Sequence, residues 1–152
     1  MTICIGTLCE DRKYAVVASD RMLTNPALSV EFEHDEPKYT ILSTRCIALT
    51  AGEALPPTEL CREVISKVSQ LMSPKTSKIV ETVCEEFRRY KKKRVEEKYF
   101  KPRGFGSIEQ YLQVQRHLND NVVLRLERAI ESEELRISFL IVGVDDEGSP
   151  YL

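Results

Sequence analysis

The sequence predicts an α+β domain, because strand-like and helix-like segments are segregated along the chain instead of alternating. Three observations carry this. Short β-branched and apolar runs fill the first fifty residues. From Pro56-Pro57 onward, apolar residues recur at three- and four-residue intervals. A β-run then returns over residues 136–144. With 152 residues, a single domain over 1–152 is expected, and a chain of that size hides roughly 70% of its unfolded surface around one core.

The elements follow in order. Thr2 to Cys9 is rich in β-branched residues and is followed by the polar tetrad Glu10-Asp11-Arg12-Lys13, which predicts a hairpin. Its second arm, Tyr14 to Asp20, is an almost unbroken run of small and apolar residues, so both of its faces are expected to be covered in a layered fold. Asn25-Pro26 marks a turn, and a polar acidic stretch from Glu31 to Glu36 ends at Pro37. Two strands are predicted next, Lys38 to Leu42 and Arg45 to Ala51, and the period changes at Gly52. Leu60, Cys61, Val64, Ile65, Val68, Leu71 and Met72 share one helical face, and Pro74 stops that helix. A second helix starts with Thr76 or Ser77 as N-cap and carries the stripe Ile79, Val80, Val83, Cys84, Phe87 and Tyr90. After the break Pro102 to Gly106, Ser107 and Gln110 form a capping box for a third helix bearing Ile108, Tyr111, Leu112, Leu118, Val122, Leu126, Ala129 and Ile130. Arg136 to Val144 is a strand, Asp145 to Gly148 a turn, and Ser149 to Leu152 the opening of another strand.

Composition excludes several function classes. With 22 basic against 24 acidic residues, the net charge of -2 supplies no overall field for nucleic acid or anionic lipid. Apolar and charged fractions of 42% and 30% argue against disorder. No apolar run approaches the roughly 18 residues of a spanning helix, and no export signal is present, so a cytoplasmic protein is expected. The five cysteines are unclustered, form no CxxC pair and lie far from His34 and His117, so no metal and no cofactor are expected. Six of the seven residues Arg88 to Arg94 are basic. They read either as a nucleic-acid patch or as a solvated helix end paired with Glu85, Glu96 and Glu97; the second reading is favoured.

The chemistry starts at Thr2. Removal of Met1 would leave a free α-amine beside a hydroxyl, so that nucleophile and base share one residue. A model α-amine has a pKa of about 8 and can accept the hydroxyl proton near neutral pH. Taken alone, Thr2 reads as an ordinary strand residue, Asp20 as a solvated strand end and Lys38 as a strand start, and Gly52 as a turn residue.

Four pieces occur in order: Thr2-Ile3-Cys4-Ile5-Gly6, Val16 to Thr24 with Ala18-Ser19-Asp20-Arg21 inside it, Pro37-Lys38-Tyr39-Thr40-Ile41, and Leu49-Thr50-Ala51-Gly52-Glu53-Ala54. Together they resemble the proteasome β-subunit and HslV-like family of N-terminal nucleophile hydrolases, over residues 2–90 and 136–152. The resemblance implies a four-layer αββα sandwich, here truncated at its C-terminus, with a helical insertion at about 90–134. It implies Thr2 as nucleophile, Lys38 as the cation beside its hydroxyl, Asp20 as the carboxylate that holds Lys38, and the Gly52 backbone N–H as oxyanion donor. Thr24, Thr50 and Ala51 would flank an extended peptide added as a strand. The activity implied is that of a threonine-type peptidase acting on peptides or proteins, working in a homo-oligomeric ring or with related subunits. The alternative is a non-catalytic scaffold of the same family, since site residues that the family carries further along its chain are not in this sequence.

Overall fold

The computed structural model describes residues 3–11, 13–25, 30–33, 37–52, 55–144 and 150–151. The chain opens with β1 (Cys4–Cys9) and β2 (Tyr14–Ser19), which pair antiparallel from Cys4↔Ser19 to Cys9↔Tyr14. Glu10 and Asp11 both take positive φ, of 48° and 52°, which reverses the chain with the twist a tight hairpin needs. Burial alternates with period two. Cys4, Gly6, Leu8, Ala15, Val17 and Ser19 are half-buried, whereas Ile5, Thr7, Tyr14 and Val16 are exposed. The small apolar run in β2 thus has one open face, contrary to the expectation that both are covered. Ala15, Val17 and Ser19 lie on the shielded side, and Ala18 shares the open one with Tyr14 and Val16.

β3 (Met22–Asn25) and β4 (Val30–Glu33) form a second antiparallel ribbon, from Met22↔Glu33 to Asn25↔Val30. The acidic stretch from Glu31 to Glu36 was given no strand. Its first residues, Glu31-Phe32-Glu33, follow Val30 in alternating apolar with acidic residues, and the four pair as a strand. The third sheet has four antiparallel strands in the order β5 (Tyr39–Ser43), β6 (Cys46–Gly52), β7 (Ile137–Val144) and β8 (Pro150–Tyr151). β6 pairs with β7 along its whole length, from Cys46↔Gly143 to Gly52↔Ile137. Its Ala48 and Leu49 are fully buried. β1 approaches β6 and β7, and β2 approaches β7 and β8, so the first hairpin lies across this sheet.

α1 (Leu55–Val68) lies against β5 and buries Leu60, Cys61, Val64 and Val68. It ends four residues before Met72. Gln70 N–H and Leu71 N–H bond to carbonyls only three residues back, and Ser73 turns to φ 47°, leaving Met72 99% exposed. α2 (Thr76–Val95) takes its first backbone bond at Lys75, so Thr76 is the first helical residue and not the cap. Thr76 is buried against Gly143 of β7, where an added Cβ would come within 2.4 Å of its Oγ1. The buried Glu86 carboxylate of α2 pairs with Lys67 of α1.

A second compact unit spans Phe87–Leu135; the first comprises the residues up to Glu86 and those from Arg136 on. Within the second unit α2 passes into a π-helical turn, Glu96–Phe100, then a 3-10 turn, Lys101–Arg103, and Gly104 reverses the chain at φ 84°. Ser107 caps α3 (Ile108–Val114), accepting from Gln110 N–H at 3.3 Å, while Gln110 Oε1 reaches back to Gly106 N–H at 2.6 Å. The expected single third helix is two. Leu118 is extended, and the Asn119 side chain accepts from Asn121 N–H at 2.9 Å to start α4 (Asp120–Glu131). The core of this unit joins Val95, Phe100, Tyr111 and Leu126, with the Phe100 and Tyr111 rings 5.0 Å apart. Buried Glu133 accepts from Lys98 Nζ and Tyr99 OH, each at 2.6 Å, and from Arg94 Nε at 3.0 Å. These donors, Lys98 first, hold its carboxyl below the usual range. Within the basic run Lys92 reaches Glu109 and Arg94 reaches Glu133, both farther along the chain than the expected Glu85, Glu96 and Glu97. Among the described residues no helix is long and apolar enough to cross a membrane.

Gly143→Ala forces a methyl group against Thr76 and should cost about 1–3 kcal/mol in urea denaturation. Adding Thr76→Ala should recover part of that loss.

Candidate functional site

Backbone pairing brings the ends of several strands together. Asp20 follows β2, and its N–H donates to Ile3 carbonyl at 3.1 Å, extending the β1–β2 ladder by one step. Lys38 precedes β5, and its carbonyl accepts Thr50 N–H at 2.9 Å and Thr50 Oγ1 at 3.4 Å. Two separate ladders therefore fix the backbones from which the two charged side chains project.

Those side chains meet. Lys38 Nζ lies 2.7 Å from Asp20 Oδ1 and also donates to the Met22 carbonyl at the start of β3. The lysine side chain is 12% exposed and the aspartate 20%, so the pair is shielded more than a surface ion pair without being cut off from water. The hydrogen bond from Lys38 is the largest cause that holds the Asp20 carboxyl below its ordinary range; partial burial opposes it. The ammonium is thus held in place by one carboxylate and one carbonyl, as a fixed positive charge requires.

Of the other expected residues, Thr50, Ala51 and Gly52 are consecutive in β6 and pair with Phe139, Ser138 and Ile137 of β7. Thr50 borders the ion pair through Lys38. Gly52 has φ 114°, and a Cβ there would fall 1.8 Å from the Arg136 carbonyl oxygen, so both conformation and space require glycine. The Thr24 backbone pairs with Glu31 in the β3–β4 ribbon, and its side chain lies outside the described atoms. Thr2 lies outside the described residues; its bonded neighbour Ile3 is the residue whose carbonyl holds Asp20.

Two contributors were not anticipated. The Met22 carbonyl has no side-chain signature. The other is Cys4, whose Sγ donates to the Thr50 carbonyl at 3.6 Å. Burial pushes its thiol up, Asp20 adds to that effect and Lys38 opposes it. The inward position of Cys4 follows from alternation with Ile3 and Ile5, which is the signal that could have found it. All five cysteines are free thiols. Among the described residues no group of three or more His, Cys, Asp or Glu side chains is placed to hold a metal ion.

No protein-family model, curated protein or solved structure matches the chain.

Because the folded-state pKa of Asp20 lies below its unfolded value of about 3.9, its pairing stabilises the fold above that pH. The contribution is lost as pH falls through the folded value. Asp20→Asn should therefore lower the melting temperature at pH 7, and the gap from wild type should narrow as pH falls below about 4. Gly52→Ala should cost on the order of 2–4 kcal/mol in urea denaturation, from strain and the clash with Arg136.

Proposed function

We propose that the chain is a proteasome-like, threonine-type peptidase subunit built on the four-layer αββα sandwich of the N-terminal nucleophile hydrolases. The observation that carries this reading is the Lys38–Asp20 pair, held at the end of the β1–β2 hairpin where Asp20 N–H donates to the Ile3 carbonyl. Thr2 is the nucleophile once Met1 is removed. Its hydroxyl oxygen attacks the scissile carbonyl while its proton passes to the Thr2 α-amine, and the Lys38 ammonium favours the developing alkoxide. The Gly52 N–H stabilises the oxyanion. The C–N bond then breaks, the leaving amine takes the proton, and water hydrolyses the Thr2 ester. Thr24, Thr50 and Ala51 flank the substrate peptide, and the subunits assemble as a homo-oligomer or with related chains.

Intact-mass analysis of the purified protein should find Met1 absent. A β-lactone or epoxyketone probe should then label Thr2, and Thr2→Ala should abolish both labelling and peptide cleavage. Lys38→Met should reduce kcat by about 10²–10³-fold, the usual effect of losing one preorganised electrostatic group. Labelling that survives in Thr2→Ala would overturn the assignment. Retained Met1 with no labelling would instead favour the non-catalytic scaffold.

A further inference from the structure

β5 stands at one end of the four-stranded sheet, and its ladder with β6 defines which of its backbone groups face outward. The pairing runs Tyr39↔Leu49, Thr40↔Ala48, Ile41↔Ile47. Thr50 N–H donates to the Lys38 carbonyl in the same register, so Lys38↔Thr50 is a hydrogen-bonded pair. Bonded and non-bonded pairs alternate in an antiparallel ladder, which makes Thr40↔Ala48 the next bonded pair. The N–H and C=O groups of Tyr39 and Ile41 therefore point away from β6, along the outer edge. The side chains of these residues are also open, Tyr39 at 44% and Ile41 at 64% exposure.

Edges of this kind are commonly guarded by a lysine, a proline or a bulge. Here the guards stand at the ends. Lys38 turns its ammonium to Asp20 and Met22, Pro37 precedes it, and the register irregularity lies between Ile41 and Ser43. The stretch Tyr39-Thr40-Ile41 carries none. It is also complementary to itself. A second copy placed antiparallel about a two-fold axis through Thr40 sets Tyr39 opposite the other copy's Ile41, and Ile41 opposite its Tyr39. Both are positions with outward-facing donor and acceptor, so four backbone hydrogen bonds form. The same register makes two aromatic to β-branched cross-strand pairs and sets no like charges opposite each other, since Lys38 then faces Leu42.

We infer that β5 is a self-association edge, through which two copies of this chain join their four-stranded sheets into one across a two-fold axis at Thr40. The interface is isologous and closes on itself as a dimer. It stands apart from the peptidase reading, since its hydrogen bonds come from Tyr39 and Ile41, neither of which is assigned to the chemistry.

Sedimentation velocity on the full chain over a concentration series should resolve a monomer–dimer equilibrium. Ile41→Pro removes an outward N–H that β6 does not use, and should abolish the dimer with the far-ultraviolet circular dichroism unchanged. The charge variants keep the test decisive if that protein misfolds. Tyr39→Lys and Ile41→Glu should each weaken dimerisation, and the double variant, which sets opposite charges across the two-fold, should regain about tenfold over either single variant. A wild type that remains monomeric throughout, a well-folded Ile41→Pro that still dimerises, or a double variant no better than the singles would overturn the inference. So would a monomer whose β5 amides gain hydrogen-exchange protection only on adding an extended peptide.

Discussion

Among the described residues three β-sheets share no ladder with one another, and one lysine joins all of them. Lys38 enters β5 of the four-stranded sheet, pairs with Asp20 at the end of the β1–β2 hairpin, and donates to Met22 at the start of the β3–β4 ribbon. A lysine suits this place because its three N–H donors can be shared among acceptors from different directions. Without it, the Asp20 carboxylate would have to resolvate where four-fifths of it is shielded. The charge therefore organises the junction whether or not it also serves chemistry. Thr50 and Cys4 arrange themselves around the same point, one through the Lys38 carbonyl and the other through the Thr50 carbonyl.

Most of this architecture can be read from residue patterns where local and tertiary preferences agree. The hairpin, β5, β6 and β7 lie within a residue or two of the expected strands, since β-branched runs bounded by turn residues leave few alternatives. The ribbon β3–β4 was hidden because Glu31 and Glu33 made its second strand look like a polar loop. The split between α3 and α4 was hidden for the opposite reason. Apolar spacing continues across Leu118 and Asn119, and only the Asn119 side chain, bonding to Asn121 N–H, betrays the break. In the site, Asp20 and Lys38 are legible only through the order of the motifs around them, because eighteen positions separate them in sequence. A carbonyl such as that of Met22 is legible in no sequence at all.

The helical unit from Phe87 to Leu135 solves a different problem. A segment of this length has room for only a small core, and the aromatic cluster of Phe100, Phe105 and Tyr111 provides much of it. Glu133 completes the unit by gathering Arg94, Lys98 and Tyr99, residues near the segment's entry, onto a carboxylate near its exit. The wide π-helical turn over Glu96–Phe100 is where α2 stops being regular, and it lies within this same group of contacts.

The contact between Lys67 and Glu86 constrains motion as well as position. Glu86 is buried, so its carboxylate depends on the lysine that reaches it from α1. Sliding α2 along its axis by one turn would move that carboxylate about 5.4 Å, out of reach of the lysine. The two helices are thus keyed like a latch. A shift of α2 against α1 must release this ion pair.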